Sequence, residues 1–128
     1  MPTAEAKARV ETLLKELSEE WEFDGRGPVG VNTAGSTGDT PLIISLIRGD
    51  LQATLDLLEA GADPNAVGED DFTALHWAAL RGREFVRPLL ASAAVSSRRN
   101  FMGETPQDIA RSSANPELMA LFSDERIA

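Results

Sequence analysis

The run Thr40-Pro41-Leu42-Ile43 returns as Thr73-Ala74-Leu75-His76, and Thr105-Pro106 opens a third, weaker copy, at spacings of 33 and then 32 residues. A period of that length is the mark of a solenoid, in which each unit buries its apolar face only by stacking on its neighbour. Asn32 maps to Asn65, Leu42 to Leu75 and Gly49 to Gly82, each 33 residues apart. A chain built of copies offers surface for binding and leaves no enclosed pocket for chemistry.

Within each copy the residues dictate helical pairs. Thr40 and Thr73 stand where an N-cap hydroxyl satisfies orphan amides, and Pro41 takes the favoured first helical position. Inner helices are expected over 41–48 and 74–81, stopped by Gly49 and Gly82, which adopt positive φ freely. An outer helix is expected over 51–60, carrying Leu55, Leu57 and Leu58 and ended by Gly61. In the third copy Asp108 completes a capping-box-like start, and Asn115-Pro116-Glu117 opens a helix that buries Leu118, Leu121 and Phe122. Gln107 replaces the inward Leu42 and Leu75, which suits a terminal cap with one wet face. Ahead of the copies, Val10, Leu13, Leu14, Leu17 and Trp21 form one apolar stripe, predicting a capping helix over 4–21 with Thr3 as its N-cap. Five glycines between Asp24 and Asp39 predict loop.

At this point the chain resembles the ankyrin repeat family. The resemblance is carried by Gly38-Asp39-Thr40-Pro41-Leu42, by Leu57-Leu58-Glu59-Ala60-Gly61-Ala62-Asp63-Pro64-Asn65, and by Thr73-Ala74-Leu75-His76-Trp77-Ala78-Ala79, and it runs from about Val31 to Phe122. It implies an all-α ankyrin-repeat solenoid with short β-hairpin-like loops. The expected division is a capping helix and glycine-rich loop over 1–30, full repeats over 31–63 and 64–97, and a degenerate capping repeat and tail over 98–128. It also implies that partners bind the loop tips and the concave face of the inner helices. Three departures stand out. Ile43 occupies the place of the usual histidine, so one inter-repeat hydrogen-bond set is incomplete. Asp71 replaces the glycine seen at Gly38 and Gly103. Pro88 falls in the second outer helix, and Ala93-Ala94 replaces its terminating glycine, so irregular structure is expected over 83–100.

Composition narrows the function. With 128 residues, net charge −9 and no cysteine, the chain suits one domain without disulfides, thiol catalysis or cysteine-bound metal. Through Ala74 there are 5 basic and 15 acidic residues; from Leu75 onward there are 7 and 6. Such a field disfavours nucleic acid and anionic lipid and attracts a cationic protein. Neither a secretory leader pattern nor an apolar run of about 20 residues is visible, so the expectation is a cytoplasmic protein, monomeric when free.

Motifs with a chemical reading weaken on inspection. Gly25-Arg26-Gly27-Pro28-Val29-Gly30 spells a phosphate-loop pattern, yet Pro28 removes an amide and no helix follows directly. Arg48-Gly49-Asp50 falls on a helix terminator. His76 is the sole histidine, with no partner for a metal or proton relay, and a structural role between repeats is implied by the resemblance. Glu69, Asp70 and Asp71 share one environment, which is wrong for acid–base catalysis and right for a cationic contact.

The expected activity is therefore non-enzymatic protein binding with no cofactor or metal. Ile44, Ile47 and Arg48 in one copy, and Trp77, Leu80 and Arg81 in the next, are expected to face outward as a shared ledge. Phe72 lies beside the acidic residues Glu69, Asp70 and Asp71, which would steer a basic partner. A bacterial inhibitor or immunity protein for a basic toxin or nuclease is one specific form of this reading. The alternatives are a small-ligand protein or enzyme with the 24–39 loop as a lid, and a self-associating structural unit.

Overall fold

The computed structural model describes residues 3–25 and 27–127, with side chains through Phe122; Arg26 of the glycine-rich motif and the side chains of the tail lie outside the described residues. Seven α-helices appear among them: α1 (Ala4–Leu17), α2 (Pro41–Arg48), α3 (Leu51–Glu59), α4 (Ala74–Arg81), α5 (Arg83–Ala91), α6 (Pro106–Ser112) and α7 (Pro116–Ile127). The inner helices α2, α4 and α6 pack side by side in one row, and α1, α3, α5 and α7 form an outer row behind them. One apolar core runs between the rows, through Leu42, Leu46, Leu57, Leu75, Val86, Leu89, Leu118 and Phe122. The expected all-α repeat solenoid is the fold observed.

The repeat is written into the backbone bonding. Residues 35, 68 and 100 each donate an amide to the carbonyl four residues on (Gly35 to Asp39, Gly68 to Phe72, Asn100 to Glu104), all at 2.9 Å. Each closes a hairpin-like tip just before an inner helix. Thr40, Thr73 and Thr105 then accept from the amides of Ile43, His76 and Asp108, with full capping boxes at the last two. The paired asparagines do the same job twice. Asn32 Nδ2 donates to the Gly61 carbonyl at 3.2 Å and its Oδ1 accepts from Asp63 at 2.7 Å. Asn65 does so with Ala93 and Val95 at 3.2 and 2.7 Å. Backbone groups that a loop would otherwise leave to water are thus satisfied by an asparagine at the opposite end of the same repeat.

Three expectations need correction. The first helix stops at Leu17, because the Ser18 hydroxyl bonds back to the Lys15 carbonyl and Glu20 turns extended. The 3₁₀ turn Trp21–Phe23 therefore sends Phe23 inward, and Trp21 is 71% exposed instead of completing the stripe. Residues 83–91 are helical despite Pro88, which forfeits a single bond within a helix whose Phe85, Val86 and Leu89 are buried. Only the stretch after Ala91 is irregular, and Ala93 ends it at φ 66, the left-handed geometry Gly61 takes at φ 94.

The glycine-rich stretch weighed above as a lid is anchored at Val29 and at Ser36. Leu17, Phe23 and Val29 form a satellite core with Ile44 of α2. The Ser36 amide donates to the Glu22 carbonyl at 2.7 Å. A Cβ on Gly35 would lie 3.1 Å from that carbonyl oxygen, a close approach that a larger residue would meet only by shifting the turn slightly. Among the described residues no inner helix accompanies the outer helix α1, and Leu17, Phe23 and Val29 pack over Ile44 on the flank of α2.

Candidate functional site

Equivalent positions on the inner helices do not share one fate. Four residues after each capping threonine stand Ile44, Trp77 and Ile109. Ile44 is 5% exposed and sealed beneath the amino-terminal segment, so it does not belong to an open ledge. Trp77 is half-buried, 5.0 Å from the Phe72 ring, and its indole N–H is buried without a partner among the described residues. Ile109 is buried at 8% exposure. Three residues further on, Ile47 is half-buried, whereas Leu80 is 58% exposed.

The arginines expected to orient a partner are engaged within the fold. Arg48 donates to both carboxylate oxygens of Glu20 at 2.8 and 2.7 Å. Arg81, one period later, donates through Nε to the Leu46 carbonyl at 2.9 Å and through a second nitrogen to the Ile47 carbonyl. Each reaches back to the unit before it, and Arg81 satisfies the carbonyl end of α2, where a cation is favoured. They act as struts.

The acidic group lies where expected, on an exposed tip. Glu69–Asp71 forms a 3₁₀ turn in which Asp70 and Asp71 adopt φ 58 and 63. Asp71 thus takes the left-handed geometry of its counterparts Gly38 (φ 95) and Gly103 (φ 78). Phe72 follows, half-buried, with its ring 5.4 Å from His76.

Two residues that sequence reasoning passed over complete the surface. Phe101 and Met102, at the third tip, are 60% and 58% exposed. The signal was available: at the register of Glu69 and Asp70 the third copy carries two large apolar side chains ahead of Gly103. The Phe101 amide donates to the Asp70 carbonyl at 3.0 Å, which locks the acidic and apolar tips side by side. Between α4 and α6 a groove of ≈ 350 Å³ is lined by Phe72, Ala79, Leu80, Met102, Ile109 and Glu104, with Ser112 and Ser113 at its end. The open part of the inner face is therefore displaced one unit toward the C-terminus from the ledge expected.

His76 fixes this region from below. Its Nδ1 accepts the Thr73 amide at 3.0 Å, so Nε2 carries the proton and donates to the Glu104 carbonyl at 2.8 Å. Burial pushes the imidazole below its usual value, leaving it neutral. In the first copy Ile43 cannot make that link, and buried Asp39 supplies another, accepting the Glu69 amide at 3.0 Å. At the other end, burial first and then Asp39 hold the Glu22 carboxyl above its ordinary value, and one of its oxygens is buried without a partner. Asp56 is held low by a bidentate pair with Arg9 at 2.7 and 3.0 Å, which ties α1 to α3.

Among the described residues, no group of three or more His, Cys, Asp or Glu is placed to hold a metal. None of their helices is long and apolar enough to cross a membrane.

Comparison with known proteins agrees with the bonding pattern. A family model described as ankyrin repeats (3 copies) matches residues 4–100, a stretch that takes in α1. The chain is similar to protein PhlB of Serratia liquefaciens, 34% identical over 122 residues that cover 77% of this chain and 52% of that protein. It is also 34% identical to inversin of the dog over 86 residues, 66% of this chain and 8% of inversin. It thus spans about half the length of the first and a small part of the second. With the 33-residue register, the three equivalent tips, the asparagine clasps and the matched stretch in agreement, the chain belongs to the ankyrin repeat family, whose repeats generally serve as protein–protein interaction modules.

Proposed function

We propose that this chain is a non-enzymatic module that holds a partner protein against the carboxy-terminal half of its inner face. The observation that carries this reading is the apolar surface left open there: Leu80 and Met102, each more than half exposed, line a groove with Phe72, and the exposed Phe101 precedes Met102 on the third tip. Contiguous exposed apolar surface with a concave centre is the usual mark of a contact site. Charge alone would explain solubility, but it gives no reason for three large apolar side chains on adjoining tips and helix.

The reading differs from the ledge expected from sequence in its anchors. Leu80 and Met102 take the central places, with Phe72 beneath and Trp77 supporting Phe72. Arg48 and Arg81 have no direct part. Capture from a native lysate by immobilised protein tests this, with Leu80→Ser/Met102→Ser as the site variant and Trp21→Ser as a control equally rich in exposed apolar area. The captured protein should be lost with the first and retained with the second. Retention with the double variant and loss with Trp21→Ser would move the interface to the amino-terminal end.

A further inference from the structure

The turn Trp21–Phe23 places three consecutive side chains in three environments. Trp21 is exposed, Glu22 is half-buried and Phe23 is buried. Phe23 enters the satellite core with Leu17, Val29 and Ile44, and its chain neighbour is carried down with it. Glu22 is pressed onto the first tip. Its main-chain carbonyl accepts the Ser36 amide at 2.7 Å, and a Cβ on Gly35 would lie 3.3 Å from the Glu22 Cβ.

That place is poor for a negative charge. One oxygen of the Glu22 carboxyl is buried without a hydrogen-bond partner among the described residues. A buried charge that lacks donors is costly, and a carboxyl escapes the cost by keeping its proton. The surrounding charges press the same way. Asp39 at the base of the first tip, Glu20 on the same segment and Glu69 on the second tip are all acidic. Asp39 is fixed in place, accepting from the Glu69 amide at 3.0 Å and from the Thr37 hydroxyl at 3.2 Å. The cation that acts on Glu22 is Arg48 of α2, and Glu20 already engages it at 2.8 and 2.7 Å. Against this stand the burial of Phe23, the Ser36 bond and the partly exposed Glu20–Arg48 pair.

We propose that the Trp21–Phe23 turn is a carboxyl latch on α2, closed while Glu22 keeps its proton, opening more often once Glu22 is ionised, and baring Ile44 when it opens. The sign follows from linkage. The closed turn holds the Glu22 proton more tightly than the open one, in which the carboxyl is hydrated. Opening is therefore rarest in acid, becomes easier as pH rises from about 4.5 through the raised value of the closed state, and then levels off. The inner face thus has a second, normally covered stretch at its amino-terminal end, and protons govern access to it.

Amide hydrogen exchange followed by NMR reads the latch, once expressed as protection factors so that the intrinsic pH dependence divides out. The reporter is the Ser36 amide, held by the Glu22 carbonyl; the control is the Gly68 amide, bonded to Phe72 within the second tip. Ser36 protection should fall at least about threefold between pH 4.5 and pH 7, and Gly68 should not follow. Glu22→Gln, neutral throughout, should hold Ser36 at its acid level of protection at pH 7. In the parent, a carbon-detected titration of the Glu22 carboxyl should give a midpoint above the usual value of about 4.3. Ser36 protection that is flat with pH overturns the latch, as does a fall that persists in Glu22→Gln. A fall shared equally by Gly68 marks opening of the whole fold and overturns it too. So does an ordinary Glu22 midpoint, a result that needs no variant to fold.

Discussion

The two ends of the inner face began from the same register and ended as opposites. At the amino-terminal end, where no described inner helix accompanies α1, Leu17, Phe23 and Val29 close over Ile44 on the flank of α2. At the other end, Leu80 and Met102 stay open along the groove, with exposed Phe101 beside Met102 on the tip. A position in a repeat therefore does not determine exposure; the neighbour on the far side does. An end unit must cover its own apolar flank, and a position with an apolar side chain and no such cover is the one to suspect of having a partner.

The largest expected effect tests whether the amino-terminal cover is integral. Phe23→Ala removes a fully buried ring and should cost about 3–5 kcal/mol in urea unfolding, in the range for large aromatic truncations. A loss below about 1 kcal/mol would mean the segment lies loosely on α2 and that the contrast between ends is shallow. Next comes the direct comparison of register-related residues. Ile44→Ala should cost about 2–4 kcal/mol, whereas Leu80→Ala should stay within about 0.5 kcal/mol of the parent. Equal losses would erase the distinction between covered and open halves.

The smallest effect is the pH dependence, in which the two ends have opposite signs. The folded state holds the His76 imidazole below its ordinary value, so as pH falls below about 6.5 the unfolded chain takes up that proton first. Stability then declines, by at most about 1.4 kcal/mol per pH unit for one proton, until the lowered folded value is reached. Glu22 behaves in reverse. Its folded value is raised, so the native state takes the proton first and gains stability as pH falls through that value toward about 4.5. Glu22→Gln removes only this gain, and its unfolding free energy should fall more steeply below neutrality than that of the parent. Parallel curves would show that the Glu22 carboxyl is freely hydrated. Being the sole histidine, His76 can be followed by its ring signals, which should show no titration near pH 6.5 in the folded protein.

Much of the fold was legible because its signals are local. A threonine three residues ahead of an amide, a glycine at a helix end and a period of 33 all act within a few residues, and the caps at Thr3, Thr40, Thr73 and Thr105 formed as read. The use of Asp71 in a glycine conformation was legible for the same reason. The site was less so. Whether Ile44 or Leu80 meets water depends on where a glycine-rich connector lies, and no periodicity describes that connector. The stripe that included Trp21 failed because Ser18 ended the helix one turn early, a contest between one hydroxyl and one further helical turn. Arg48 and Arg81 looked like free cations because their acceptors, a carboxylate 28 residues earlier and carbonyls about one period back, are visible only in three dimensions.

The asparagine clasps carry a consequence for how such a molecule can change size. Asn32 and Asn65 grip main-chain atoms only, the Gly61 carbonyl and Asp63 amide in one case and those of Ala93 and Val95 in the other. A grip on main chain is indifferent to side-chain identity. One further period spliced in at Ala62 would meet a hook above and offer one below, whatever residues it displayed outward. Length and outward sequence are thus free to vary at the joints, so long as each added unit brings its own asparagine, capping threonine and inward apolar residues.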